Sequence, residues 1–272
     1  MRVMMVLLLS AMVMNLMGAC NRAVEAVPVE NAEELIKGVS RLPGRRSEVM
    51  YGGRIPVREE INFDVNSYFK VFDKLSMQPG YMLDFVYLND GVGAKPVVYA
   101  YSVEEGPLRD YYDYLAWKEI QHPGSFAVIE GSDDYLQHVV IEDTPEGYFQ
   151  SVALAIMEDQ FYLNWHALYN DTRIITSAEL AGSAFNRFAR DTEGITNRGY
   201  LRNVERVVEG IPELNYTPKV EMREDRAIVR MIVFSEWGGF SELRVVISRD
   251  FPHEILNWRE KTRLFFYSGV MF

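Results

Sequence analysis

One stretch of the chain, "NWHALYND", places a histidine close to a carboxylate. His166 lies five residues before Asp171, with Asn170 between them. A histidine that a carboxylate orients can act as a general base. The stretch offers no nucleophile to complete a hydrolase site, and a hydrogen-bonded structural histidine beside a loop aspartate explains the same residues. His166 and Asp171 are the candidate catalytic pair, and the structural interpretation is favoured.

Motifs of other enzyme classes are missing from the sequence. It contains no GxSxG, P-loop, HExxH or EF-hand pattern. Asp133 and Asp134 lie near Glu130 and Glu142, but their spacing matches no calcium loop, so a solvated acidic turn is favoured. We therefore expect no cofactor and no metal site, and a non-enzymatic role rather than an enzyme.

Three aromatic residues are the candidate binding residues. Tyr114 and Trp117 lie on a predicted helix, "PLRDYYDYLAWKEI", and Trp237 lies in a predicted turn. Exposed aromatic side chains stack on sugar rings or on partner proteins. The alternative is a helix between two layers, with core on both faces. The predicted core stripe of this helix consists of Leu108, Tyr111, Tyr112 and Leu115.

The first 20 residues, "MRVMMVLLLSAMVMNLMGAC", have the layout of a signal peptide. Arg2 supplies a positive start, and Val3–Met17 is an almost unbroken apolar run. The run is shorter than the roughly 20 residues of a transmembrane helix. It ends at Cys20, the single cysteine of the chain.

Met17-Gly18-Ala19-Cys20 resembles the lipobox of bacterial lipoproteins, with Met17 where leucine is usual. In that class the cysteine receives a diacylglycerol thioether and becomes the N-terminus after cleavage. The resemblance covers the leader alone. It implies that residues 1–20 are removed up to Cys20, that Cys20 is lipidated, and that acyl chains anchor the protein in a bacterial cell envelope, facing the periplasm or the exterior. The alternative is an ordinary secretory leader.

Residues 21–60 are predicted to form a tether between the anchor and the globular part. Prolines and glycines punctuate the stretch "RLPGRRSEVMYGGRIPVRE". Its basic charge suits either a solvated linker, which is favoured, or contact with anionic lipid headgroups. The arginines are Arg41, Arg45, Arg46, Arg54 and Arg58.

Residues 61–142 show globular patterns. Asp64 or Asn66 can cap a helix whose apolar stripe includes Tyr68 and Phe72. The stretches "YMLDFVYL" and "PVVYAYSV" predict two strands joined as a hairpin. Pro107 is the predicted first residue of the next helix. Further strands are predicted over "FAVI" and "QHVVIE".

Residues 145–169 are compatible with two structures. A good N-cap and a proline at the first position favour a helix, whereas alternating Val152, Leu154 and Ile156 favour a strand. A hairpin is slightly favoured.

The remaining chain predicts helices and then strands. Ser177 caps a helix that ends near Arg190, and residues 199–209 form another. An antiparallel meander follows, with strands over "KVEM", "RAIVRMIVFS", "FSELRVVIS" and "TRLFFYSGVMF". The predicted fold class is therefore α+β, with antiparallel sheet covered by a few helices. Residues 61–190 and 191–272 form either two domains or one.

The charge of the chain limits its partners. Lys and Arg number 28 and Asp and Glu number 39, which gives a net charge of −11. Such an acidic body repels phosphates, so we expect no nucleic-acid partner. The expected function is a lipid-anchored binding or interaction module for a protein or a glycan. A lipid-anchored hydrolase and a structural or assembly component of the envelope are the alternatives.

Overall fold

The computed structural model describes residues 25–46, 56–89, 93–121, 133–165, 172–191, 205–235 and 239–265. The chain is an α+β protein, as predicted. The helices are α1 (Ala32–Ser40), α2 (Tyr111–Gln121), α3 (Pro145–Met157) and α4 (Ala178–Asp191). The strands are β1 (Val27–Pro28), β2 (Leu75–Met77), β3 (Tyr81–Asn89), β4 (Gly93–Ser102), β5 (Val139–Ile141), β6 (Asn164–Trp165), β7 (Arg173–Ile175), β8 (Lys219–Met222), β9 (Arg226–Ser235), β10 (Gly239–Ser248) and β11 (Ile255–Phe265). Short 3-10 helices cover Arg58–Glu60, Val65–Lys70, Asp133–His138 and Ile211–Glu213.

The largest sheet is antiparallel and has the order β1-β8-β9-β10-β11, with β7 also paired to β9. β8 covers the first part of one edge of β9, and β7 covers the rest, with Arg173 opposite Phe234. The predicted meander is confirmed, but its last strand begins at Ile255 rather than near residue 262. β11 lies at the sheet edge, and its consecutive residues Leu256 and Asn257 are both exposed. Because they break the alternation of a half-buried strand, the sequence did not indicate the first part of β11.

The two faces of this sheet pack against different helices. Val229, Met231 and Val233 of β9 belong to the main core with α1 and α3. Ile232 and Phe234 belong to a second core with α4. This alternation follows from the two-residue period of a strand. Because β7 comes from one predicted range and β9 from the other, residues 61–190 and 191–272 contribute to one sheet.

The β3–β4 hairpin is confirmed and separates the main core from α2. Its strands pair from Tyr81 opposite Ser102 to Asn89 opposite Ala94. Leu83 and Phe85 face the main core, whereas other side chains of the hairpin form a third cluster under α2. β6 extends the hairpin sheet along β4, and β2 and β5 pair in a small ribbon.

The favoured hairpin over 145–169 is wrong, because the first part of this range is helix α3. Thr144 has extended backbone angles, and its hydroxyl accepts a hydrogen bond from the Gly147 N–H at 3.1 Å. Pro145 occupies the first turn, where its missing N–H costs nothing. Ten of its thirteen residues are buried, so the apparent strand alternation is part of a helix that is apolar on all sides.

The predicted tether is also corrected, because residues 25–46 belong to the fold. β1 pairs with β8, and α1 contributes Ala32, Ile36 and Val39 to the main core. Gly44 has a φ of +77°, and a Cβ there would lie 2.0 Å from the Asn62 carbonyl oxygen. This glycine therefore marks a close backbone contact rather than a flexible linker.

Two arginines of the predicted tether are structural. Arg45 is buried and donates hydrogen bonds at 3.2 Å to the Tyr68 hydroxyl and to the Met157 carbonyl at the end of α3. Arg58 donates to the Phe85 carbonyl at 2.8 Å and to Asp84 at 2.7 Å. A buried arginine next to a helix C-terminus complements the carbonyls exposed there. Arg45 and Arg58 therefore make contacts within the fold and are not part of a solvated linker.

Two predicted caps are observed. The Asp64 carboxylate accepts a hydrogen bond from the Asn66 N–H at 2.9 Å, although the helix that follows is a 3-10 helix. The Ser177 hydroxyl accepts from the Leu180 N–H at 3.3 Å at the start of α4. Residues 205–210 are helical within the predicted range 199–209 and one residue beyond it. The predicted strand "FAVI" lies outside the described residues.

Candidate functional site

Most of the predicted site residues lie outside the described part of the chain. These residues are Cys20, His166, Asp171 and Trp237. The lipid anchor and the His166–Asp171 pair stay predictions. Tyr114 and Trp117 are described, and both lie on α2.

Tyr114 and Trp117 pack against the β3–β4 hairpin rather than facing solvent together. Tyr114 is 3% exposed, and Trp117 is half-buried. The Tyr99 ring lies 5.9 Å from Tyr114 and 6.3 Å from Trp117, centroid to centroid, in tilted arrangements. These distances are typical of favourable aromatic pairs. Tyr114 is therefore a packing residue, which corrects its prediction as an exposed platform.

The predicted core stripe of α2 is right for Leu108 and Tyr111, which pack against the cluster under α2, and wrong for Tyr112 and Leu115, which are exposed. The helix begins at Tyr111 rather than at Pro107, because Asp110 caps it: the carboxylate accepts hydrogen bonds from the N–H groups of Tyr112 and Asp113, both at 2.9 Å. The Tyr99 hydroxyl accepts from the Leu108 N–H at 2.7 Å and fixes the turn before the cap. Tyr112, predicted in the core, is consequently exposed.

The side of α2 opposite the aromatic cluster carries exposed apolar residues, and Glu119, seven residues after Tyr112, lies on the same side. Tyr112 is 80% exposed, Ile120 is 75% exposed and Leu115 is 36% exposed. Ala116 is exposed between them. Spacings of three, four and eight residues place these side chains on one side of a helix. We call Tyr112, Leu115, Ala116 and Ile120 the outer face.

Acidic residues dominate the segment that carries the outer face. Residues 103–121 contain five acidic and two basic side chains, a net charge of −3. Arg109 pairs with Asp113 through two hydrogen bonds of 2.7 and 2.9 Å. That hydrogen bonding lowers the pKa of the Asp113 carboxyl, which stays ionised. Glu104 and Glu105, in the turn before α2, are exposed.

One polar group under α2 lacks a partner. The Tyr111 hydroxyl is buried and has no hydrogen-bond partner within the described residues. Burial raises the pKa of this phenol, so it is neutral at physiological pH. Leaving such a group unpaired costs free energy.

A concave region lies where the N-termini of α1 and α3 meet. It is an open cleft of about 460 Å³, lined by residues that include Asn31, Lys74, Glu142 and Glu146. Lys74 pairs with Glu142 at 3.1 Å, and Asn31 donates to Glu146 at 2.7 Å. These polar groups pair with one another, so the cleft presents no unpaired group to a ligand among these four residues.

A group of hydrogen-bonded polar side chains holds the β10–β11 turn against the start of α3. Arg249 pairs with Asp143 through both carboxylate oxygens, and the Tyr148 hydroxyl donates to Asp143 at 3.0 Å. The hydrogen bonds from Arg249 lower the pKa of Asp143. His253 is 7% exposed and lies 3.2 Å from the Ser248 carbonyl oxygen, and burial lowers its pKa. The cluster is a structural joint between a turn and a helix.

Neither metal ligands nor a membrane-spanning helix are found in the described ranges. No three His, Cys, Asp or Glu side chains come together there as a metal site. No helix there has both the length and the apolar character that crossing a bilayer requires. No protein-family model matches the chain, and neither a curated protein nor a solved structure matches it.

Proposed function

We propose that the protein is a lipid-anchored binding module of a bacterial cell envelope, which holds a partner protein on the outer face of α2. The anchor is proposed from the resemblance of Met17–Cys20 to a lipobox. The observation that carries the binding role is the exposure of Tyr112, Leu115 and Ile120 on a helix whose other side is fixed by packing. Large apolar side chains exposed together on one side of a helix are typical of interaction sites.

The composition of the outer face favours a protein over a glycan. Leu115 and Ile120 are aliphatic, so they neither stack on a sugar ring nor donate hydrogen bonds. Tyr112 is the one strongly exposed aromatic residue of α2. Apolar side chains spaced along one side of a helix are instead a common protein-recognition element. His166 and Asp171 lie outside the described residues, so no observation favours a hydrolase.

Photo-crosslinking in intact cells tests the binding role. The full-length protein is made with p-benzoyl-phenylalanine in place of Tyr112 or of Ile120. Val208 and Leu256, which are 54% and 51% exposed, are the control positions. We expect one partner protein in adducts from both outer-face positions and no adduct with it from the controls. Absence of an adduct at residues 112 and 120, or equal adducts at all four positions, would overturn the proposal.

Cell fractionation tests the anchor separately. The substitution Cys20→Ser removes the sulfur that would carry the acyl chains. We expect the variant to move from the membrane fraction to the soluble fraction. A variant that still sediments with membranes contradicts the anchor and leaves the crosslinking result unaffected.

A further inference from the structure

We infer that the occupant of the outer face is a protein groove with an apolar floor and a rim of lysine and arginine. The inference rests on the proposed function, because it names the partner of the same surface. It follows from the size of the face, from the charge around it and from the spacing of its apolar residues.

The size of the outer face favours a groove over a flat partner. α2 has 11 residues, so it is about 16 Å long, and a strip about 10 Å wide along it covers only about 160 Å². A stable interface between flat surfaces needs about 800 Å² on each partner. A groove gains area because it also contacts the flanks of the helix. Apolar residues at positions 112, 115 and 116 have the i, i+3 and i+4 spacing of helices that bind in grooves, and Ile120 lies one turn beyond Ala116, whereas the i+7 position is Glu119.

The negative charge around the outer face disfavours a second copy of this protein as its partner. Two copies would bring two segments of net charge −3 together, and juxtaposed like charges oppose association. Arg109 and Asp113 pair with each other, so the excess negative charge comes from the other acidic side chains of the segment. A partner with a basic rim gains attraction from the same acidic side chains.

The charge also opposes a lipid surface. Helices that lie in a membrane interface carry lysine and arginine on their polar side. α2 and the turn before it instead carry Glu104, Glu105, Asp110, Asp113 and Glu119. Anionic headgroups would repel this segment. The apolar residues of the outer face therefore suit a basic protein better than the membrane to which the anchor tethers the chain.

Charge reversal combined with crosslinking tests the inference. The probe is the full-length protein with p-benzoyl-phenylalanine at position 112, irradiated in isolated envelopes. The double variant Glu104→Lys/Glu105→Lys reverses two exposed charges next to α2. The control Glu213→Lys/Glu224→Lys makes the same change in net charge at two exposed residues elsewhere in sequence. We expect about a tenfold lower adduct yield for the first variant and an unchanged yield for the control.

Ionic strength and the identity of the adduct complete the test. We expect adduct yield to fall as ionic strength rises, because salt screens the attraction. The crosslinked peptide of the partner should be apolar and flanked by Lys or Arg. An adduct of twice the protein's own mass, or an adduct with lipid, overturns the inference. A partner whose adduct is insensitive to salt and to charge reversal overturns the basic rim but leaves the binding module intact. Absence of any adduct overturns both.

Discussion

Helices α2 and α3 both lack a single apolar stripe, and their surroundings differ. α3 is apolar around most of its circumference, whereas α2 also carries Asp113, Lys118 and Glu119. α3 lies between the large sheet and the β2–β5 ribbon, and ten of its residues are buried. Among the described residues, α2 packs on the β3–β4 hairpin, and its outer face is exposed. α3 therefore has a covering layer on both sides, whereas α2 has one among the described residues.

The difference indicates where each helix obtains its stabilisation. Burial of α3 on both sides contributes to the stability of the isolated chain. The outer face of α2 contributes less, because its side chains are largely exposed. This contrast can be tested by substituting two leucines, an arginine, a pair of tyrosines and two histidines.

The largest effect is expected from a matched pair of leucines. Leu154 of α3 is 0% exposed, whereas Leu115 of α2 is 36% exposed. Leu154→Ala should lower the free energy of unfolding by about 2 to 5 kcal/mol through lost burial and a cavity. Leu115→Ala should lower it by less than about 1 kcal/mol. Urea denaturation measures both, and equal losses would show that α2 is covered as fully as α3.

A smaller loss is expected where the N-terminal segment closes the end of α3. Arg45→Ala removes the hydrogen bonds to Tyr68 and to the Met157 carbonyl, and leaves a space in the buried region that the arginine fills. The free energy of unfolding should fall by about 2 to 3 kcal/mol. Arg41 is exposed, and Arg41→Ala is the control with no expected change. If both variants are as stable as the parent, Arg45 is a linker residue after all.

Two tyrosines under α2 should respond with opposite signs. The Tyr111 hydroxyl is buried without a partner, so Tyr111→Phe should stabilise the protein by about 1 kcal/mol. The Tyr99 hydroxyl accepts from the Leu108 N–H, so Tyr99→Phe should destabilise it by about 1 kcal/mol. Thermal unfolding of the two variants side by side measures the difference. A destabilising Tyr111→Phe would mean that this hydroxyl has a partner.

The smallest effect is expected from pH, and it arises on the α3 side. Burial lowers the pKa of His253 and of His138 in the folded state. The unfolded chain binds more protons than the folded chain once the pH falls below about 6.5. Stability is therefore complete above that pH and declines as the pH falls towards the lowered pKa values.

Chemical denaturation at a series of pH values checks this sign. The double variant His138→Gln/His253→Gln should lose part of the decline between neutral and mildly acidic pH. Asp143 contributes in a lower range: Arg249 lowers its pKa, so its stabilisation is present above about pH 4 and is lost as the pH falls through the lowered value. A variant with an unaltered pH profile would place the acid sensitivity elsewhere.

The sequence predicted the features that depend on local chemistry. The aromatic and β-branched residues over Tyr81–Leu88 and Pro96–Val103, with a turn-like stretch between them, predicted the hairpin, because such residues favour strands. Asp64 and Ser177 were predictable as caps, because their side chains bind backbone within three residues. The C-terminal strands and the α+β class followed from the same local patterns. These signals need no knowledge of distant residues.

Only the tertiary structure decided the features that depend on contacts between distant residues. Residues 145–157 became a helix because two layers cover it, which no periodicity within the segment reveals. Arg45 and Gly44 are part of the fold because they contact Met157 and Asn62, which are distant from them in sequence. The sequence did not predict the outer face, because hydrogen bonds of Asp110 and Tyr99 set the residue at which α2 begins. Which side of α2 meets the core depends on such contacts, whereas the sequence determines only that α2 has no single apolar stripe.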